Sequence, residues 1–240
     1  MRPSKTRWVA TLVVGLAAIA ATGWWVTTTP LFRLRTIAVS GNHHLSDAQI
    51  ARLAGLSRTT NVVWLRPGLL ADRIERNPWI LRAKVSRTLP GTVSVAIEER
   101  RPVAILDTSR SLLLVSADGV ILGRASSGVR LPTIAASGGP EAIGVRIPDS
   151  MQALVVARTL SPAVRGKVAQ ITQTGPGSLT LILRGGAEVL YGDAIDAAAK
   201  GRALSSLLSW ARAQGVRAHS IDLRAPAAPA LVPESAAASG

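Results

Sequence analysis

At 240 residues the chain has room for a short terminal segment and one or two small domains, and no single large core is demanded of it. Apolar residues make up 48% but aromatics only 3%, so the buried surface must be built chiefly from Val, Leu, Ile and Ala in small separate cores. Cysteine is absent, which excludes disulfides, thiolate metal sites and cysteine nucleophiles, while a net charge of +14, nearly all arginine, would draw nucleic acid, anionic lipid or an acidic partner.

Arg2, Lys5 and Arg7 form a basic stub over residues 1–7, and an uncharged run from Trp8 to Val26 follows it. As a helix that run spans about 28 Å at about 1.5 Å per residue, enough for a bilayer core. Trp8 at one end, and Trp24 with Trp25 at the other, stand where amphipathic rings favour the headgroup boundary, and they are the expected membrane anchors. Cations ahead of the run predict a cytoplasmic N-terminus with the bulk of the chain outside. Ala18-Ile19-Ala20 also offers a cleavage pattern, so a removed signal peptide is the alternative.

Residues 33–101 read as β-α-α-β-β. Leu34 to Val39 alternates as a short strand with Ile37 and Val39 on one face, and Gly41-Asn42 breaks it. Ser46 with Gln49 makes a capping box, Leu45 can staple to Ile50, Ile50, Leu53 and Ala54 form the buried stripe, and Gly55 stops the helix. Pro67 opens a second helix whose inner face carries Leu70, Ile74 and Asn77, ended by Pro78. Ala83 to Arg87 and Thr92 to Glu98 are the closing strands, the latter with Val93, Val95 and Ile97 inward. That order, with Ile37-x-Val39-x-Gly41-Asn42, Asn77-Pro78-Trp79, Val85-x-Arg87-x-x-Pro90 and Glu98-Glu99-Arg100-Arg101-Pro102, resembles the POTRA domain of the FtsQ/DivIB cell-division family.

Residues 102–224 predict a mixed, mainly antiparallel β domain with flanking helices. Val103–Leu106, Ser111–Val115 and Val120–Leu122 are separated by turn residues as in a meander, and a Gly/Pro/Ser-rich connection follows around Leu131–Ile134. Met151–Leu160 fits an apolar helix, then Val168–Thr172, Ser178–Leu183 and Ala187–Tyr191 read as strands. A last helix from Asp196 to Gln214 shows Leu204, Leu207, Leu208 and Ala211 on one stripe, and Ser220 to Arg224 would close the sheet. Ala- and Pro-rich residues 225–240 predict a flexible tail. Ala187-Glu-Val-Leu-Tyr-Gly192, Lys200 and Ile221-Asp222-Leu223-Arg224 resemble the end of the FtsQ/DivIB β domain.

No residues stand ready for catalysis, a metal or a cofactor. His43, His44 and His219 lack further ligands at metal spacing, Glu98 and Glu99 are adjacent on a strand and so point to opposite faces, and neither a phosphate loop nor a G-x-S-x-G elbow occurs. Arginines such as Arg52, Arg58, Arg66, Arg73, Arg76 and Arg82 are spread without interleaved aromatics, which reads as a solvated face rather than a nucleic-acid surface.

The resemblance implies a non-enzymatic single-pass type II scaffold of the divisome, needed for septum formation at the inner membrane. It would link early and late division proteins through extracytoplasmic contacts with small bitopic partners of the FtsB/DivIC and FtsL type, and take neither nucleic acid nor a small-molecule substrate. An exposed last strand at Ile221, Asp222, Leu223 and Arg224 would accept a partner strand, with Ala230-Leu-Val232 as a second possible stretch, because proline limits pairing between them. The alternative is a membrane-anchored or secreted binding module for a wall component or solute, in which a pocket does the binding. A barrel-assembly factor would need tandem POTRA copies or amphipathic barrel strands, neither of which is visible.

Overall fold

The computed structural model describes residues 5–136, 141–148, 151–175 and 177–234, without the side chains of residues 5–7, 10 and 11. The chain divides into two compact units, Met1–Glu99 and Arg100–Gly240.

The first unit opens with helix α1, Lys5–Thr27, and a short 3-10 turn at Pro30–Phe32. Among the described residues no helix is long and apolar enough to cross a membrane. Trp8, Trp24 and Trp25 are all exposed, and the Trp24 ring lies 4.8 Å from that of Trp64. Strand β1 (Thr36–Ser40), helices α2 (Asp47–Ala54) and α3 (Pro67–Glu75), and strands β2 (Ile80–Thr88) and β3 (Thr92–Glu99) follow. The sheet order is β1-β3-β2, with β1 parallel and β2 antiparallel to β3.

Local chemistry sets these elements. Ser46 and Gln49 form the reciprocal capping box that satisfies orphan donors at the start of α2, and Gly55 closes the helix at φ 70°, a left-handed geometry costly for residues with a Cβ. Ile50, Ile74, Ile80, Val93 and Val95 fill the core, and each buried side chain of this size is worth about 1.5–3 kcal/mol. Asn77 departs from expectation: α3 ends at Glu75, and the Asn77 carboxamide instead accepts from the Trp79 amide at 3.0 Å, capping a turn before β2. Arg87 donates to the carbonyls of Val62, Val63 and Leu65, tying the loop ahead of α3 to β2.

Glu99 ends β3 by accepting the backbone N–H groups of His43, His44 and Leu45 at 3.0, 2.7 and 3.0 Å. The His44 ring stacks on Trp79 at 3.6 Å. Those N–H groups belong to the turn that leads into α2, so one carboxylate binds the end of the sheet to the start of a helix.

The second unit contains β4 (Pro102–Asp107), β5 (Leu112–Ser116), β6 (Ile121–Arg124), β7 (Thr133–Ala135), α4 (Gln152–Thr159), α5 (Pro162–Arg165), β8 (Val168–Gly175), β9 (Ser178–Leu183), β10 (Glu188–Gly192), α6 (Ala197–Ala213), β11 (Ala218–Asp222) and β12 (Ala230–Pro233). Its nine strands run in the order β12-β11-β10-β9-β8-β7-β4-β5-β6. Hairpins make the antiparallel pairs, whereas β4–β7, β7–β8 and β10–β11 are parallel and need crossovers. Helices α4 and α6 contribute Leu154, Val156, Ala157 and Leu204 to a core shared with Ile121, Val168, Leu181 and Tyr191.

The expectation of a flexible tail needs correcting. Residues 230–233 are a strand held antiparallel to β11, because the backbone groups on the open side of β11 are satisfied by the returning chain; residues 235–240 lie outside the described part.

Burial pushes the Glu99 carboxyl up, but the three N–H bonds and the nearby His44 outweigh it and hold the group below the ordinary glutamate value. A depressed value contributes stability that is present above the unfolded-state value and is lost as pH falls through the folded one. Glu99→Gln should therefore lower stability by about 1–3 kcal/mol at neutral pH. In urea titrations at several pH values, the gap from the parent should close as the pH drops below the ordinary glutamate range.

Candidate functional site

Helix α6 carries the chain from β10 to the parallel strand β11, and a buried clasp fixes its first turn. Tyr191, fully buried on β10, donates its hydroxyl to the Ala197 carbonyl at 2.9 Å, and burial, with the Asp193 charge adding to it, pushes the phenol up to about 12. The Lys200 ammonium lies 5.3 Å from the Tyr191 ring centre and donates to the Asp193 carbonyl at 3.0 Å and carboxylate at 2.8 Å. The bond from Lys200 holds Asp193 below the ordinary aspartate value. Gly192, at φ 74°, lets the chain turn out of β10; a Cβ there would approach the Arg224 Cγ to 3.2 Å.

This arrangement makes β11 an interior strand, between β10 and β12. Ile221 and Leu223 point into the core with no exposed surface, so the residues read from sequence as docking side chains are packing residues. Asp222 and Arg224 reach the surface but pair with each other: Arg224 Nη2 lies 2.6 Å from Asp222 Oδ2, and the Arg224 amide donates to Asp222 Oδ1 at 3.0 Å. Hydrogen bonds from the Arg224 side chain and amide lower the Asp222 carboxyl below its ordinary value.

The large sheet has edges at β6, where Ile121 is already paired with Gly144 and Val145, and at β12. Ser220 pairs with Val232 and Asp222 with Ala230, while the Leu223 amide donates to Leu190 in β10 and the Glu234 amide to Arg217. Alternation along an extended chain then directs the backbone groups of Ala230 and Val232 toward β11. The Leu231 N–H and C=O and the Pro233 C=O face outward. Leu231, opposite Ile221, packs partly on the core, whereas Val232 projects from the other face.

Beside this edge lies an open groove of about 510 Å³, lined by Leu207, Trp210, Val216, Leu231 and Pro233. Trp210 stands off the buried stripe of α6 with 51% of its surface exposed. An apolar groove flanking unpaired main-chain groups can accept an extended segment, with main-chain bonds for affinity and a side-chain slot for choice. The sequence reading marked Ala230-Leu-Val232 as the second stretch but missed Trp210 and Pro233. A large aromatic outside the helix's apolar stripe was the available signal.

Two protein families match the chain. Residues 32–100 match the POTRA domain, FtsQ-type, and residues 104–224 match Cell division protein FtsQ/DivIB, C-terminal. The chain is 30% identical over 181 residues to a Mycobacterium leprae protein named cell division protein FtsQ, covering 75% of this chain and 52% of that protein. A Mycolicibacterium smegmatis protein of the same name is 28% identical over 202 residues, 84% of this chain and 59% of its own. A third, from Myxococcus fulvus, is 27% identical over 229 residues, 92% of this chain and 78% of its own. The chain thus spans only a little over half the length of the two mycobacterial proteins.

If Leu231 faces the core and Val232 solvent, the two truncations should differ. Leu231→Ala is expected to cost about 1–2 kcal/mol and Val232→Ala less than about 0.5 kcal/mol, read from urea midpoints. Equal losses would contradict the assigned facing.

Proposed function

This chain belongs to the FtsQ/DivIB cell-division family, and on that premise we propose that it is a non-enzymatic division scaffold whose β domain captures a partner by strand addition at β12. The observation that carries the reading is the outward-facing Leu231 backbone beside the apolar groove of Trp210 and Leu207. The partners it fits are small bitopic division proteins of the FtsB/DivIC and FtsL type, meeting it outside the cytoplasm at the septal membrane.

Anchoring falls to α1. Supporting this are an unbroken backbone helix over Lys5–Thr27, the absence of charge from Trp8 to Val26, and exposed Leu12, Leu16 and Ile19 along it. Exposed apolar side chains flanked by tryptophans at the two ends of the run are what a lipid-facing segment presents.

Strand addition at β12 also redefines the part of Asp222 and Arg224. Their mutual pair stiffens the turn between β11 and β12, and the Arg224 guanidinium, largely exposed, retains donors for a partner carboxylate.

Two outcomes test the reading. Leu231→Pro removes the outward N–H and should abolish co-purification of an FtsB/DivIC-type partner, while Trp210→Ala, at an exposed position, should weaken capture about tenfold with unchanged melting. Capture indifferent to both changes would exclude this edge. Full-length protein should resist extraction from membranes by alkaline carbonate, and deletion of residues 8–26 should release it; extraction of the intact chain would remove α1 as the anchor.

A further inference from the structure

We propose that a basic cavity at the end of β12 binds an acidic segment of the partner, flanking the strand that adds to the sheet edge. The inference rests on the edge-docking reading above.

The cavity, of about 680 Å³, is lined by Arg130, Lys167, Arg184, Arg212 and Arg217 against one acid, Glu234. These cations come from five separate places: the connection ahead of β7, the turn before β8, the β9–β10 turn, the last turn of α6 and the segment before β11. Nothing in their sequence spacing brings them together; the crossovers of the sheet do. Among the described residues none of the five forms an ion pair. Arg184 is held in place by donating to the carbonyls of Gly166 at 3.0 Å and Leu131 at 3.1 Å, which leaves guanidinium donors to meet a ligand. Five cations gathered around a single acid repel one another, and a bound anion relieves that repulsion.

Position selects a peptide. The Glu234 amide donates to the Arg217 carbonyl at 2.8 Å, so Glu234, the residue just past β12, stands on the cavity rim. Val216 lines both this cavity and the apolar groove beside β12. A segment paired with β12 and continued past Pro233 would pass over the cations, advancing about 3.3 Å per residue. Charges contributed by five segments suit carboxylates distributed along an extended chain better than one compact phosphate. Leu183, Leu208 and Ala211 supply an apolar wall for the aliphatic parts of such side chains.

The test uses the full chain in detergent with two fluorescent probes, a Glu-rich peptide and its Gln-substituted twin. The Glu-rich probe is expected to bind at least about tenfold more tightly at low salt, to weaken as salt rises, and to lose that advantage in R212E/R217E, whose melting should match the parent. Should that variant fold poorly, the difference between the twins and its salt dependence on the parent chain decide the matter. Equal binding of the twins overturns the proposal, as does displacement of the Glu-rich probe by inorganic phosphate at matched ionic strength, or binding to phosphatidylglycerol vesicles that the probe does not compete. Leu231→Pro should leave the free Glu-rich probe bound. If the twins bind equally while Leu231→Pro still releases the partner, this inference fails and edge docking stands.

Discussion

The β domain depends on a parallel step that a short hairpin cannot make. Strands β10 and β11 run side by side in the same direction, and α6 must leave the sheet, cross its face and return. The Tyr191 hydroxyl and the Lys200 ammonium seize the first turn of that helix and the residues just before it. Burying a lysine costs free energy unless its charge is compensated, and here a carboxylate, a carbonyl and a ring face do so together. With α6 seated, β11 is forced inside the sheet, and the chain after Arg224 becomes the new edge.

Edges are the weak points of sheets, because their unpaired backbone groups accept any strand that fits. The small sheet of the first unit keeps its most apolar strand, β3, in the middle, and uses the Glu99 carboxylate to satisfy three amides at its rim. At the large sheet the β12 edge is short and ends in proline, which limits it to one outward N–H. That brevity restricts promiscuous pairing, while the neighbouring tryptophan groove rewards a partner with the matching side chain.

Arginine serves two unlike purposes in this chain. Arg87, Arg165 and Arg184 spend donors on backbone carbonyls and fasten loops, and burial lowers the Arg165 guanidinium below its ordinary value. Arg100 and Arg146 share Asp118. Others, including Arg130, Arg212 and Arg217, remain without acids among the described residues and line one cavity. A net charge of +14 therefore divides between internal fastening and a surface open to anions.

Much of the fold was legible before any coordinate. The Ser46–Gln49 capping box, the Gly55 stop, the alternation of Val93, Val95 and Ile97, and the stripe of Leu204 and Ala211 are local signals, carried by neighbours three or four residues apart or by a period of two. The place of Asn77 was misread because a polar residue at helical spacing and a turn cap look alike in sequence. The docking edge was harder still. Ile221, Leu223 and Ala230 to Pro233 are all extended, and which of them lies outermost depends on pairing with strands distant in the chain. The sequence by itself determined most of the helices and the inward faces of strands such as β3, since caps, proline and hydrophobic period act over a few residues, but not the end of α3 or the strand β12. Only the tertiary structure decided that β12 is an edge strand and that five scattered cations meet beside it, because neighbour order in a sheet is set by long-range hydrogen bonding and crossover packing.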